Sequence, residues 1–324
     1  MEIKRWNDKP YNNLDYHLKS IYGKKIYKIA IDGGMTCPNR DGSIDTRGCI
    51  FCSKGGSGEF AASFDVNNPS VLAQLEKGKE LIAKKTLDGT QYIAYFQPYS
   101  NTYASIEYLN KLYEEALSDS ECVGLSIGTR PDCLSSDVLE LLNSLKEKYE
   151  EKLIWIELGL QTIHRDTAIY IRRGYELSRF EEAVSNLNNI GIPIIVHLIL
   201  GLPGETTEMM YASVEYLNTF NIFGVKLQLL HVLNDTDLMN DYNDRKFDVL
   251  SQEEYTNILI GCIERLNPEI VIHRVTGDGP KDKLIAPDWS KNKRNVLNTL
   301  LSEMKKRNTW QGRLYEQPEH IDII

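Results

Sequence analysis

Short apolar runs with strand character alternate with longer amphipathic stretches over residues 26–235. The runs lie at 26–31, 92–96, 122–127, 153–158, 193–200 and 223–230. Helical spacing of apolar residues fills 69–85, 104–118, 135–149, 178–190 and 205–220 between them. Strands that alternate with helices in this way build βαβ units, whose strands lie parallel in one sheet. We therefore predict an α/β fold with six parallel strands.

An N-terminal arm, residues 1–25, and a C-terminal extension, residues 236–324, flank this repeat. The arm is polar and aromatic, so it either packs on the core through its rings or lines a substrate entrance with its basic residues. The extension predicts a helix over 254–266, a strand over 269–275 and a second helix over 289–307.

Three of the six cysteines lie in one Gly-rich loop, residues 32–60, directly after the first predicted strand. Cys37, Cys49 and Cys52 have the spacing C-x11-C-x2-C. A structural zinc site needs four ligands and usually shows two close pairs, whereas only one close pair is present here. Three thiolates would satisfy three irons of a cubane iron–sulfur cluster and leave the fourth open. Zinc and a redox-active cysteine pair remain the alternatives.

Composition and charge limit the class of protein. The cysteines are too few and too clustered for a disulfide framework, which indicates a reducing compartment. The first residues lack the apolar segment of a secretory signal, and no run approaches the length of a membrane span. We therefore expect a cytoplasmic protein that does not enter a membrane.

A local basic run stands out against the net charge of −9. Residues 281–313 hold nine basic side chains and three acidic ones, a local charge of +6. Such a run is usually a solvated helix face, but it could also bind phosphates and let an acidic protein bind nucleic acid. Lys291, Lys293 and Arg294 are the candidate contacts in that second interpretation.

Polar side chains also lie inside the last two predicted strands of the repeat. Lys226 and Gln228 alternate onto the same face of the sixth strand, and His197 lies within the fifth. Polar groups in a barrel interior imply a polar ligand, so these three are our candidate substrate contacts or catalytic residues. A histidine satisfied within the core is the alternative for His197.

The first strand and its cysteine loop, with Phe51 directly before the last cysteine, resemble the cluster-binding segment of radical S-adenosylmethionine (SAM) enzymes. The spacing departs from their commonest pattern, C-x3-C-x2-C. The longer first gap is similar to the elongator catalytic subunit, a tRNA-modifying branch of that superfamily, and closer still to a bacterial branch. Thr129-Arg130-Pro131-Asp132, after the third predicted strand, also resembles the elongator branch.

The resemblance implies a partial (β/α)6 TIM-like barrel over residues 26–235, with active-site groups at the carboxyl ends of its strands. It implies a [4Fe-4S] cluster on Cys37, Cys49 and Cys52, whose fourth iron chelates SAM. The residues at positions that contact the cofactor in the family are Gln97, Ser100, Asn101, Thr129, Arg130, Glu157, Gln161, Arg173, Gly201, Leu202 and Pro203. The usual Gly-Gly-Glu is absent after the second strand; Gly55, Gly56 and Glu59 lie earlier and could simply form a flexible loop.

The chemistry of some of these positions also allows a purely structural role. Arg130 offers a rigid fork for a carboxylate or phosphate, but it could instead make a salt bridge within the protein. Glu157 would be costly inside a barrel without a polar partner, and a ribose hydroxyl pair would be one such partner. The glycines after the fifth strand would serve a strand-to-helix turn as well as a flat ligand.

The resemblance implies reductive cleavage of SAM to a 5′-deoxyadenosyl radical, with an electron donor of the flavodoxin or ferredoxin type. The expected substrate is tRNA, and the expected chemistry is remodelling of the C5 side chain of a wobble uridine. The chain carries no extension of the size of the elongator acetyltransferase domain, so we expect a later step, such as carboxymethylaminomethyl to aminomethyl. A metabolite or peptide substrate, or an iron–sulfur sensor or electron carrier, are the alternatives.

Overall fold

The computed structural model describes residues 5–56, 61, 70–83, 90–277 and 279–317. The strands are β1 (Tyr27–Ile31), β2 (Tyr92–Phe96), β3 (Cys122–Thr129), β4 (Leu153–Gln161), β5 (Ile194–Leu200), β6 (Gly224–Leu229), β7 (Val232–Leu233), β8 (Val271–Arg274) and β9 (Leu284–Ala286). The helices are α1 (Leu14–Tyr22), α2 (Val71–Ala83), α3 (Ile106–Ser118), α4 (Ser136–Lys148), α5 (Arg165–Tyr170), α6 (Leu177–Asn189), α7 (Thr207–Leu217), α8 (Leu238–Asn243), α9 (Gln252–Arg265) and α10 (Lys293–Lys306).

The main sheet has seven strands in the order β1-β2-β3-β4-β5-β6-β8, and β7 and β9 form a separate antiparallel pair. The six predicted strands and the helices between them are confirmed, with ends that differ by a few residues. The seventh strand, β8, comes from the run at 269–275 that the sequence assigned to the C-terminal extension. Four short elements, α5, α8, β7 and β9, had no periodic signal because each is too short to show one.

One compact unit comprises residues 18–160 and 173–195. Its strands β1 to β4 pair in parallel, with Ile29 opposite Ala94 and Leu125 opposite Ile154. Helix α2 approaches β1 closely, because a Cβ atom at Gly78 would lie 2.1 Å from Cγ2 of Ile29. The carboxyl ends of these strands therefore share one edge, where the cysteine loop begins.

The second compact unit comprises the described residues of 1–17, 161–172 and 196–324. Strands β6 and β8 pair in parallel within it. The buried side chain of Gln311 donates to the carbonyls of Asn267 and Ile270, both at 2.8 Å, and accepts from the amide of Asn12 at 2.8 Å. This amide joins the N-terminal arm to the C-terminal segment beside β8. The arm residues Trp6 and Tyr11 are buried.

No helix in the part of the chain that the structure describes combines the length and the apolar character needed to cross a membrane.

The imidazole of His231, two residues beyond β6, lies against the loop that follows β8. A Cβ atom at Gly277 would come within 2.4 Å of the ring, so the backbone there approaches the imidazole closely. Burial, followed by the charges of Lys293 and Arg274, lowers the pKa of His231 from 6.5 to about 4. The fold therefore holds this histidine neutral.

We predict that His231 makes the protein less stable in mild acid. Between pH 6.5 and 4 the unfolded chain binds a proton at this position that the folded chain does not, so the free energy of unfolding falls as the pH falls. His231→Gln should remove up to about 3 kcal/mol of that fall. Denaturant unfolding at a series of pH values measures it, and parallel curves for the two proteins would contradict the assignment.

Candidate iron–sulfur site

The described part of the cysteine loop turns sharply at two of its cysteines. The carbonyl of Cys37 accepts from the amide of Arg40 at 2.8 Å, and the carbonyl of Cys49 accepts from the amide of Cys52 at 3.0 Å. Gly48 then closes the loop by donating to the carbonyl of Asn39 at 2.7 Å. Cys37, Cys49 and Cys52 are not joined in disulfide bonds and are partly exposed.

The three thiols act on one another electrostatically. Burial and then the neighbouring Cys52 and Cys37 raise the pKa of Cys49 to about 12, while Arg130 opposes the rise. The guanidinium of Arg40 in turn interacts with Cys52 and Cys37. Two arginines thus lie beside three sulfurs, and their positive charge offsets the negative charge that thiolates gain when a metal displaces their protons.

Within the described ranges, no three His, Cys, Asp or Glu side chains converge as ligands of a single metal ion. A four-iron cluster is larger than one ion, so its thiolate ligands do not meet at one point. Three thiols outside any disulfide bond, with two neighbouring guanidinium groups, fit an iron–sulfur cluster with one open iron.

Asn39 connects the cysteine loop to the segment after α5. Its side chain is 1% exposed, and Nδ2 donates to Sγ of Cys49 at 3.5 Å and to the carbonyl of Arg173 at 3.1 Å. Gly174 has φ of 79°, and a Cβ atom there would lie 2.5 Å from Oδ1 of Asn39. Glycine is therefore required beside this asparagine for both conformation and space.

Arg130 supports the same carbonyl. Its Nη1 atom donates to the carbonyl of Arg173 at 2.8 Å, while Nε and Nη2 bind the carboxylate of Asp132 at 2.9 and 2.7 Å. Both Arg130 and Arg173 lie against the ring of Tyr175, at 5.1 and 4.5 Å from its centroid. The fork of Arg130 therefore binds protein groups here, as in the salt bridge that we considered as the alternative.

The loop after β2 contacts both the cysteine loop and β3. The amide of Ser100 donates to the carbonyl of Thr36 at 3.2 Å, and the amide of Asn101 donates to that of Gly128 at 3.0 Å. Oδ1 of Asn101 is buried and accepts no hydrogen bond from any described residue. An unused buried acceptor next to the cysteine loop fits the amino group of an amino-acid ligand such as the methionine part of SAM.

Gln97 and Thr129 are two further candidate contacts of the cofactor near this loop. Gln97, at its start, is half-buried. Thr129, at the end of β3, is buried, and its hydroxyl lies 2.6 Å from that of Thr102, which also donates to the carbonyl of Cys133.

Glu157 has a protein partner that the sequence analysis missed. The carboxylate, on a side chain that is 1% exposed, lies 2.7 Å from Nζ of Lys28 and accepts from the hydroxyl of Ser126 at 2.6 Å. The ammonium of Lys28 also lies over the rings of Tyr95 and Trp155, at 4.9 and 5.0 Å. A lysine within the otherwise apolar strand β1 was the signal that could have revealed this pair.

The candidates after β5 form a tight turn in the other unit. Gly201 has φ of 85°, and a Cβ atom there would lie 2.8 Å from Cδ1 of Leu250. Leu202 is buried and Pro203 is half-buried. Gln161, at the end of β4, has φ of 64°, an uncommon conformation for a residue other than glycine.

The substrate candidates lie in β5 and β6. Lys226 is only 3% exposed and is opposite Arg274 in the register of β6 and β8. Gln228 and His197 are half-buried.

The three residues that we predicted to contact nucleic acid differ in their surroundings. Lys291 pairs with Asp288 at 2.8 Å, whereas Lys293 and Arg294 begin α10 and are exposed. In the cysteine loop, Gly55 and Gly56 are described and Glu59 lies outside the described residues.

Comparison with known families decides the class of protein. The model of the radical SAM superfamily matches residues 46–217, and that of the radical SAM C-terminal domain matches residues 222–306. This chain belongs to the radical SAM superfamily. The first match includes Cys49 and Cys52 but begins after Cys37.

The radical SAM chain is also similar to individual proteins. It is 39% identical to the uncharacterized protein YtqA of Bacillus subtilis (strain 168), over 98% of this chain and 96% of YtqA. It is 27% identical to the tRNA uridine(34) acetyltransferase of Methanocaldococcus jannaschii, over 48% of this chain and 28% of that protein. Elp3 of Methanocaldococcus infernus, solved with an N-terminal deletion, superposes with a TM-score of 0.67 at 18% identity, over 88% of this chain and 64% of that chain. The superposition confirms the predicted α/β partial barrel.

We predict that each of Cys37→Ala, Cys49→Ala and Cys52→Ala abolishes cluster binding by this radical SAM protein. Three ligands leave no spare thiolate in the set, so iron content after anaerobic reconstitution should fall from about four per chain to well below one. Cys262→Ala is the control, because that thiol is buried in α9 and is not part of the cysteine loop. Full iron content in any one of the three variants would exclude that cysteine as a ligand.

We predict that Asn39 raises the reduction potential of the cluster. A hydrogen bond to a ligating sulfur draws electron density from it and favours the reduced state. In Asn39→Ala the midpoint potential should therefore fall by tens of millivolts, measured by redox titration with electron paramagnetic resonance. Asn39→Asp should lower it further, because it adds a negative charge. An unchanged potential in a variant with full iron content would contradict the assignment.

Proposed function

We propose that this protein is a radical SAM enzyme that remodels the C5 side chain of the wobble uridine in tRNA. The specific reaction that we propose is conversion of a carboxymethylaminomethyl group to an aminomethyl group. The carboxymethyl carbon would lose a hydrogen atom to the 5′-deoxyadenosyl radical, and the substrate radical would return one electron to the cluster and release a proton to give an imine. Water would then cleave the carbon–nitrogen bond, releasing the two-carbon group as glyoxylate and leaving the amine. The observation that carries the proposal is the similarity to a tRNA uridine(34) acetyltransferase over 160 residues. The segment Thr129-Arg130-Pro131-Asp132 of this chain, which resembles the elongator branch, supports the proposal further.

The cofactors in this proposal are a [4Fe-4S] cluster and SAM, which together supply a 5′-deoxyadenosyl radical when both are bound. Cys37, Cys49 and Cys52 would hold the cluster, and the buried Oδ1 atom of Asn101 would accept from the amino group of SAM. Binding fixes the reacting groups and excludes water, which is what the protein contributes in cofactor chemistry. An electron donor of the flavodoxin or ferredoxin type would supply the electron.

The side chains that we propose as substrate contacts carry an ammonium, an amide or an imidazole group. The wobble side chain before conversion carries a carboxylate, and Lys226 is a buried ammonium on β6. Gln228 is on the same face of that strand, and His197 on β5 is half-buried. A buried cation next to a substrate carboxylate would be favourable, because each charge then replaces the water that the other loses.

A metabolite or peptide substrate is the second candidate. The net charge of −9 favours it, because an acidic protein repels a polyanion outside any local basic patch. An iron–sulfur sensor or electron carrier would bind the cluster without cleaving SAM, so formation of 5′-deoxyadenosine by the reduced protein separates that class from both enzymes.

We predict that tRNA from cells lacking this gene loses one modified wobble uridine and accumulates its carboxymethylaminomethyl precursor. Nucleoside mass spectrometry of bulk tRNA measures both species. The wild-type gene should restore the profile, and a Cys49→Ala gene should not, because it would lack a cluster ligand. An unchanged nucleoside profile in the deleted strain would rule out tRNA and leave metabolites and peptides as substrates.

A further inference from the structure

We propose that a cleft between the N-terminal arm and the start of α10 binds a phosphate of the RNA backbone. This cleft, called the arm cleft below, has a volume of about 310 Å³. Residues 9–15 form one wall, residues 272–277 at the end of β8 form another, and Lys293 and Leu297 of α10 complete it. The inference rests on the proposed function, because it names where the tRNA substrate would be held.

The lining of the arm cleft is cationic in an acidic chain. Lys9, Arg274 and Lys293 line it, whereas Asp15 is the one carboxylate among its described lining residues. The chain as a whole carries a net charge of −9. A concave surface of opposite sign to the rest of the molecule concentrates anions.

Two cations of the arm cleft, Arg274 and Lys293, are close enough to repel each other. Burial and then the charge of Arg274 lower the pKa of Lys293. Like charges held together cost free energy in the folded protein, and an anion bound between them would offset that cost. The arrangement therefore favours an anionic ligand over a neutral one.

The walls of the arm cleft are held in place by the backbone. Asn13 forms a parallel bridge with Ile272, and the amide of Ile272 donates to the carbonyl of Asn12 at 2.7 Å. Helix α10 begins at Lys293 with a cap, because the side chain of Asn292 accepts from the amide of Asn295 at 3.1 Å. A pre-formed site loses little ordering entropy when a ligand binds.

The chemistry of the lining favours a phosphate. Arginine offers a planar fork that matches two phosphate oxygens, and lysine adds a mobile point charge. The volume lies at the lower end of the range for ligand pockets, about 300–1,000 Å³, so a phosphodiester with its sugar fits better than a long stretch of RNA.

The arm cleft distinguishes Lys293 from Lys291, although the sequence analysis predicted the same nucleic-acid contact for both. Lys293 lines it, whereas Lys291 pairs with Asp288 and is not among the lining residues. The basic run is therefore not one uniform surface. We expect Lys9 and Arg274, which lie outside that run in the sequence, to contribute more to RNA binding than Lys291.

The test compares single charge removals at matched positions. Lys9→Gln, Arg274→Gln and Lys293→Gln remove a charge from the arm cleft, and Lys305→Gln removes one from the exposed far end of α10. Each cleft variant should weaken binding of unmodified tRNA by about tenfold and reduce the salt slope by about one ion, whereas Lys305→Gln should stay within about twofold of wild type. Circular dichroism checks the fold of each variant, and Lys9→Gln, in the arm, tests the cleft without altering β8.

Each outcome decides between named interpretations. Equal weakening in Lys305→Gln would overturn the proposal, because it would show diffuse attraction to the whole helix. Unaltered tRNA binding in the cleft variants, together with binding of inorganic phosphate by the wild type, would assign the cleft to a small phosphorylated ligand and also overturn it. If the deleted strain loses its modified uridine while cleft variants bind and modify tRNA normally, the proposed function stands and this inference alone fails.

Discussion

The main-chain carbonyl of Arg173 is the acceptor on which the candidate iron–sulfur site depends. It accepts one hydrogen bond from Asn39 of the cysteine loop and another from Arg130 at the end of β3. Two segments that are far apart in the sequence are thereby fixed to one atom beside Cys49. A loop rich in glycine has a large conformational entropy to lose, and these bonds hold its described part where a cluster would bind. Arg130 therefore has a structural role in addition to its predicted contact with a ligand.

Much of the fold could be predicted because local periodicity reports burial. The apolar runs that became β1 to β6 are bounded by polar turns, and the helices between them show one apolar face. The sequence could not show that β8 would lie next to β6, because pairing between strands is not local. The sequence analysis also assigned β8 to a separate extension, because β7 and α8 interrupt the alternation of strands and helices that precedes it.

The candidate site was predictable in its residue types and less so in its pairings. The spacing of Cys37, Cys49 and Cys52 pointed to one loop as the candidate metal-binding site, and the role of these cysteines as ligands stays a prediction. The partners of Glu157 were not predictable, because Lys28 is on β1 and reaches the carboxylate across intervening strands. In contrast, the pairs Arg130 with Asp132 and Lys291 with Asp288 are close in the sequence, so their mutual neutralisation could have been inferred from spacing alone.

The ion pair between the half-buried Lys28 and the buried Glu157 restricts how this part of the protein can change during evolution. Loss of Lys28 would remove the cation beside a buried carboxylate, and breaking a buried pair in this way typically costs about 3–5 kcal/mol, whereas loss of both partners in favour of apolar residues is often neutral. The two positions are therefore separated from an apolar version by an intermediate of low stability. A chain that has acquired the pair tends to keep it, whether or not the carboxylate contacts a ligand, so its presence in a relative would reflect shared history as well as shared chemistry.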